Sequence, residues 1–381
     1  MTPVHADILL HVRRRMALSK AVLARELGAR PNTVGSAVDR LVATRWLRVA
    51  ESHSSDGRGR GRPEVRYELD PASLRLGAVV LRPEGAILAL TDLRGQPVGT
   101  AWSSGRVARG RLLSVAASRL RTMSGRAMVG VGVAAPGMVD TAQRRLLVNA
   151  GVAPRDGLDL APLFDASRGR PLAVDNDVQA RAERWRLAHA EADGEDVLFV
   201  YLDDGAIGAA LLPHGPSSSG VVRSANELGH TQVGEPTGAC YCSQNACLER
   251  AFSTEFLRRQ GGRRTLADAV ARLPHIPPPL AQALGRLDVA VLNAVNLLRP
   301  HRVVVAGPLA GDALIARLRL TVRRRCLPLM RERVAVSHAE VDADNPLAAA
   351  ASVGFSAVLG RHTATLTPPA PSAGFDERKV A

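Results

Sequence analysis

From Pro71 onward, short apolar runs of β type alternate with longer stretches of helical periodicity, and this alternation constrains the fold more than any other feature of the chain. Residues 77–90, 129–134, 197–202 and 303–306 read as strands, and 109–123, 177–190, 248–260 and 280–298 as helices. Strands interleaved with helices predict an α/β architecture with mixed sheets. At roughly 100–200 residues per domain, 381 residues suggest two or three domains. With 46% hydrophobic residues the chain can bury a core. No stretch approaches the roughly 20 uninterrupted apolar residues of a membrane span. The first residues, Met1 to Asp7, show no basic segment leading into an apolar one, so a cytoplasmic location is expected.

The formal charge is +14, almost all of its cations arginine. Such an excess favours polyanionic partners through counterion release, although an arginine-rich solubilising surface would produce the same number.

Residues 1–50 read as short helices. Ile8, Leu9 and Val12 give the first an apolar stripe. Ser19 can cap a second helix from about Lys20 to Leu27, with Val22, Leu23 and Leu27 inward. Gly28 permits a tight turn, and Pro31 suits the first position of a third helix. Val34, Val38 and Leu41 then share one face. The other carries Asn32, Thr33, Ser36 and Arg40, with Arg30 just before the helix. These groups suit base edges and phosphates in a major groove. The runs 46–49 and 65–69 flank a glycine-rich tip with Arg58, Arg60 and Arg62, which together make a basic wing. A helical bundle with an arginine-rich linker is the bland alternative. The pattern resembles the winged-helix domains at the N-terminus of ROK-family repressors. Arg30 departs from it, standing where a serine-type cap is usual.

His230, Cys240, Cys242 and Cys247 lie within eighteen residues. One imidazole and three thiolates complete a closed tetrahedral set for structural zinc, and a loop of buried or redox-active thiols is the alternative. Cys326 is distant and reads as a core residue. The segment resembles the zinc motif of the ROK family (repressors, open reading frames and kinases of sugars), with Ser243 and Ala246 where that motif has glycines.

The resemblance runs from residue 71 to about 361. Gly130–Asp140 looks like the family's G-x-G-V-x-x-P-G-x-V-D loop, and Val174-Asp175-Asn176-Asp177 like its V-E-N-D motif. Glu227 and His230 match its E-x-G-H, and Glu249 the acid after the last zinc cysteine. It implies a two-lobed, actin-like sugar-kinase fold in which Asn176, Asp177, Glu227, His230 and Glu249 line a sugar pocket. Carboxylates and an amide engage vicinal hydroxyls well. Read locally, Asp175 is placed to cap the helix that Asp177 begins. Asn149, after the Pro-Gly loop, is a further candidate contact. In family kinases the acid at Asp177 is the general base, but phosphoryl transfer also requires the phosphates to be positioned and neutralised.

There the resemblance breaks. The family's first phosphate loop, D-x-G-G-T, aligns with Val80 to Glu84, where the glycines have become Arg82 and Pro83 and the threonine Glu84. Proline lacks an N–H, and glutamate repels phosphate. The second loop, G-T-G-x-G-x-G, aligns with Asp204–Ala210 and keeps only Gly208 in place, with Asp203 and Asp204 adding negative charge. The adenosine-side glycine pair reads Ala306-Gly307-Pro308. Asp177 is then a vestigial base with no catalytic role.

The expectation is a zinc-holding, sugar-responsive transcriptional regulator of the repressor type without kinase activity. It binds a double-stranded DNA operator as a homodimer or a dimer of dimers. Residues 1–70 form the DNA-binding domain and 71–188 the first lobe. Residues 189–362 form the second lobe with the zinc loop, and its last helix returns to the first lobe. Residues 363–381 are a disordered tail. The alternatives are an active sugar kinase carrying a DNA-binding domain and a DNA-binding regulator that takes no sugar.

Overall fold

The computed structural model describes residues 1–51, 64–140, 145–148, 157–214, 222–223, 227–339 and 345–360. The chain opens with α1 (Pro3–Arg15), β1 (Leu18–Ser19), α2 (Lys20–Glu26), α3 (Pro31–Ala43), β2 (Leu47–Val49) and β3 (Arg66–Leu69). The strands form an antiparallel sheet in the order β1-β3-β2 beside the helices, which is a winged helix-turn-helix. Ser19 caps α2, its hydroxyl accepting from the Val22 N–H at 3.3 Å. Gly28 adopts φ +58° in the turn, and Pro31 opens α3. Ile8, Leu9, Val12, Leu23, Val34 and Val38 are fully buried, whereas Val22 and Leu27 only flank this core.

The next elements are β4 (Arg75–Arg82), β5 (Gly85–Thr91), β6 (Trp102–Ser103), α4 (Leu112–Met123), β7 (Met128–Ala135), β8 (Met138–Asp140), β9 (Arg145–Val148), β10 (Leu158–Asp159), α5 (Ala161–Ala166), β11 (Leu172–Asn176) and α6 (Asp177–Ala188). A hairpin, β4–β5, joins two parallel strands in the sheet β11-β7-β4-β5-β6. The single run expected at 77–90 is therefore two strands, because Pro83 and Glu84 turn the chain between Arg82 and Gly85.

The same pattern recurs in the second lobe: β12 (Val197–Asp203) and β13 (Ala206–Leu212) form a hairpin, and β15 (Arg302–Ala306) and β16 (Ala335–His338) add in parallel to β12. Between them lie β14 (Val222–Arg223), which joins the small sheet β10-β9-β8-β14, and α7 (Leu248–Ala251), α8 (Thr254–Arg259), α9 (Leu266–Val270) and α10 (Pro278–Leu298). After β15 come α11 (Asp312–Arg325), α12 (Pro328–Arg331) and, last, α13 (Pro346–Val358). The helix expected over 248–260 is broken in two where the Ser253 hydroxyl caps α8 through the Phe256 N–H. Two hairpin-plus-parallel lobes constitute the actin-like sugar-kinase fold.

The alanine-rich α13 packs on β7, β4 and α6. The approach is so close that a Cβ on Gly132 would lie 1.8 Å from the Ala350 carbonyl oxygen. Only a glycine on the strand admits the helix there.

One face of α1 completes the winged-helix core and the other docks on α6, with Arg13 reaching Ser352 and Phe355 of α13, and a single contiguous apolar cluster runs from Ile8 to Phe355. Arg94 clamps the end of α1, donating to the carbonyls of Arg13 and Met16, each at 3.0 Å. Arg14 reaches the far end of α6, where it pairs with Asp193 and donates to the Arg186 carbonyl at 3.3 Å.

Candidate functional site

On α3 the apolar spacing puts Val34, Ala37, Val38 and Leu41 inside. Asn32, Thr33, Ser36 and Arg40, with Arg30 at the cap position, are consequently exposed together on the outer face. The Arg30 side chain makes no capping bond. β2 and β3 form the stem of the wing, tied by an ion pair between Arg48 and Glu68 at 2.6 Å. Arg58, Arg60 and Arg62 lie outside the described residues, as does Asn149.

The metal-type residues converge. The ligand atoms of His230, Cys240, Cys242 and Cys247 all lie within 4.8 Å of one another. Cys242 Sγ is 3.4 Å from Cys247 Sγ, and Cys240 Sγ is 3.6 Å from His230 Nδ1. Tetrahedral zinc with Zn–S bonds of about 2.3 Å spaces its sulfurs about 3.8 Å apart, so the spacing and the donor set fit that ion. Burial pushes the Cys247 thiol up to about 12 and raises Cys240 as well, so a metal filling this site displaces protons from both. The loop that carries the thiols turns at Ser243, which adopts φ +70°, a left-handed conformation that favours glycine. Cys326 is buried in the second-lobe core, away from this cluster.

The strand β11 delivers Asn176 and Asp177 to the start of α6. Asn176 is buried, and its amide is committed. The oxygen caps α6 by accepting from the Val178 N–H at 2.7 Å, and the nitrogen donates to the Gly137 carbonyl at 2.9 Å. It thus holds the V-D-N-D turn against the Pro-Gly loop, and the cap is Asn176 rather than Asp175, whose carboxylate accepts from the Asn176 N–H. Asp177 keeps a 35% exposed carboxylate, 3.4 Å from Arg181 one turn on. Burial nonetheless raises its pKa against the pull of Arg181.

Glu227 and Glu249 come to the same place from the other lobe. Glu227 lies 3.8 Å from His230 Nε2, and Glu249 lies 3.8 Å from His230 Nδ1. Burial raises the Glu227 carboxyl, with Glu249 and Asp177 adding repulsion and His230 opposing it. Asp177, Glu227, His230 and Glu249 are therefore one electrostatic cluster. Glu249 is buried and accepts from the Cys240 thiol at 3.2 Å, which links the carboxylates to the metal-type set.

Two residues of this cluster escaped the sequence reading. Arg181 pairs with Asp177 and lies over the Tyr201 ring, and its position four residues along α6 was the available signal. The Tyr241 hydroxyl lies 2.6 Å from His230 Nε2 with the rings edge to face. As the middle residue of the C-x-C step it must point away from the thiols.

The hairpins β4–β5 and β12–β13 both turn tightly. Val80 is buried opposite Ile87, and Arg82 pairs with Gly85 across the Pro83-Glu84 turn. The Asp204-Gly205 turn closes the second hairpin, and the Asp204 carboxylate accepts from the Thr254 N–H at 2.7 Å and from its hydroxyl. Gly208 keeps its place for packing, since a Cβ there would lie 2.6 Å from Val178.

The chain is similar to the DNA-binding transcriptional repressor Mlc of Escherichia coli (strain K12), at 24% identity over 247 residues that cover 59% of this chain and 60% of Mlc. It thus spans less than two thirds of that relative. In structure it is similar to a ROK family transcriptional regulator described as a homolog of E. coli Mlc, with a TM-score of 0.70, 17% identity and coverage of 95% of this chain and 98% of that one. It also resembles the ROK hexokinase of Thermus thermophilus, with a TM-score of 0.56, 20% identity and coverage of 74% and 98%. No helix among the described residues is long and apolar enough to cross a membrane. Residues 113–356, well over half of the chain, match the model of the ROK family, and the protein belongs to that family.

Proposed function

We propose that this protein is a sugar-responsive, DNA-binding transcriptional regulator of the repressor type that has lost phosphoryl transfer. One observation carries the reading: the exposed polar face of α3 stands on a ROK body whose carboxylate cluster has converged while the turns of its two hairpins carry Arg82-Pro83-Glu84 and Asp204 in place of phosphate-cradling glycines. The similarity to Mlc, a DNA-binding transcriptional repressor, supports it. In this reading residues 1–70 bind DNA and 71–188 and 189–362 form the two lobes. Asn32, Thr33, Ser36 and Arg40 read bases or phosphates, and Arg30 with Arg58, Arg60 and Arg62 contacts the backbone or minor groove. A homodimer, alone or paired, sets two α3 helices about 34 Å apart on a pseudo-palindromic operator.

Asp177, Glu227, His230 and Glu249 hold the sugar hydroxyls, while Asn176 holds the turn that presents Asp177. His230, Cys240, Cys242 and Cys247 hold zinc in the reducing cytoplasm, through Nδ1 and three thiolates, leaving Nε2 toward the pocket. Bound there, zinc supplies a closed cross-link and no open coordination position. Sugar binding acts by favouring one arrangement of the lobes and winged segments over another. Pro83 and Glu84 remove an N–H donor and add a negative charge where a kinase needs to cradle phosphate, and Asp204 adds a second.

The test is fluorescence anisotropy with DNA flanking its own gene, across a panel of hexoses, acetylated hexoses and pentoses. Sugar-dependent change in DNA affinity is expected. Unchanged affinity across the panel defeats the sensor, and sugar-dependent release of ADP in a coupled assay defeats the loss of kinase activity.

A further inference from the structure

The second lobe contains a cavity of about 370 Å³ that shares no residue with the Asp177–Glu227–His230–Glu249 cluster. Its size falls in the range of small-molecule sites, about 300–1,000 Å³. Its inner wall is apolar, built on the buried Leu257 of α8 and Leu280 of α10. Arg263, Arg264, Arg272 and His275 line its rim, and no acid lines it. None of these four side chains has an ion pair or hydrogen bond among the described residues. The neighbouring acids are engaged elsewhere: Glu255 pairs with Arg259, and Asp268 accepts from the Thr265 hydroxyl at 2.7 Å.

Three guanidiniums and an imidazole therefore surround one apolar hollow. Like charges so grouped repel one another unless an anion joins them.

We propose that this cavity binds a small amphipathic anion, a carboxylate or phosphate ester on an apolar body. The body lies against Leu257 and Leu280, and the head group meets Arg264 and Arg272 at the mouth. Guanidinium groups suit carboxylate and phosphate because they offer paired donors in a plane. The site would give the protein a second small-molecule input, separate from the pocket at Asp177.

The test uses anilinonaphthalene sulfonate, a fluorescent amphipathic anion, with the full-length protein. Saturable binding of one probe per chain is expected, displaced by octanoate and by phenyl phosphate. The Arg264→Glu/Arg272→Glu variant should weaken it by about tenfold or more, whereas Arg323→Glu/Arg324→Glu on the exposed end of α11 should leave it unchanged. The uncharged N-phenylnaphthylamine should lose little affinity in the same variant. All four arginines are exposed, so folding is not at stake, and Arg264→Gln/Arg272→Gln gives a milder second variant. No saturable binding, or binding indifferent to both double variants at the mouth, overturns the proposal. So does a variant that loses DNA affinity while keeping the probe, because the cations then serve the phosphate backbone. Wild-type DNA and sugar responses in a variant that has lost the probe separate this site from the proposed regulatory function.

Discussion

The Arg13 guanidinium lies over the Phe355 ring, 4.4 Å from its centroid, and donates to the Ser352 hydroxyl at 3.0 Å. A cation from the first helix is thus buried against the last, in the seam between the winged segment and the first lobe. Burial, with Arg184 and Arg94 close by, disfavours its charge. Arg13→Met keeps the long apolar stem and removes the buried charge, so global thermal stability should hold or rise. The seam should loosen, because the bond to Ser352 is lost. Differential scanning calorimetry reads the first effect and hydrogen exchange at α1 amides the second. A large drop in melting temperature would contradict the assignment.

Asp193→Ala should cost more than an exposed ion pair usually does. The Arg14 side chain is 5% exposed, so losing Asp193 leaves a nearly buried guanidinium with its charge unpaired and only partly satisfied by the Arg186 carbonyl. A loss of about 2–3 kcal/mol is expected, and Asp193→Glu should recover most of it. Chemical denaturation measures both.

Ser243→Gly should stabilise the metal loop. Ser243 sits at φ +70°, and replacing it with glycine should gain about 0.5–1 kcal/mol. Ser243→Val should lose at least as much. The readout is the midpoint of metal loss against a chelator of graded concentration.

Gly132→Ala should be among the most damaging single substitutions in the first lobe. A Cβ there would lie 1.8 Å from the Ala350 oxygen, and neither strand nor helix backbone can yield cheaply. A loss of about 3 kcal/mol or more is expected, by denaturation or as failure to express folded protein.

Asp177→Asn should stabilise the ligand-free protein at neutral pH while abolishing sugar binding. Burial raises the folded pKa of Asp177 above its unfolded value, so the native state takes up a proton more readily than the unfolded chain. The contribution is then fully favourable below the unfolded pKa and is lost as pH rises through the folded one. At pH 7 the variant escapes that loss. Because the carboxylate is 35% exposed the gain is modest, and it should shrink as pH falls toward the ordinary carboxylate range. Melting curves at neutral pH and in that range check the sign.

Much of the site was legible because its chemistry is local in sequence. The C-x-C step, Cys247 and His230 lie so close along the chain that a shared loop brings their donors together. The α3 faces followed from helical spacing alone. The V-D-N-D motif was legible as a turn, but the role of Asn176 was not, because the Gly137 carbonyl that holds its amide is far away in sequence. Tyr241 went unread because an exposed tyrosine carries no signal until His230 Nε2 is seen beside it.

The sequence by itself determined the winged helix, the metal-type set, the α/β alternation and the erosion of Val80 to Glu84, all features written in periodicity, side-chain chemistry and short spacing. The tertiary structure decided three things. It closed the Pro83-Glu84 and Asp204-Gly205 turns into tight hairpins, and it grouped Asp177 with Glu227 and Glu249 across two lobes. It also carried Ser352 and Phe355 back across the whole chain to receive Arg13. Such contacts depend on how packed surfaces meet, through glycine gaps such as Gly132 and buried arginines with few alternatives, and no local pattern of residues encodes that meeting.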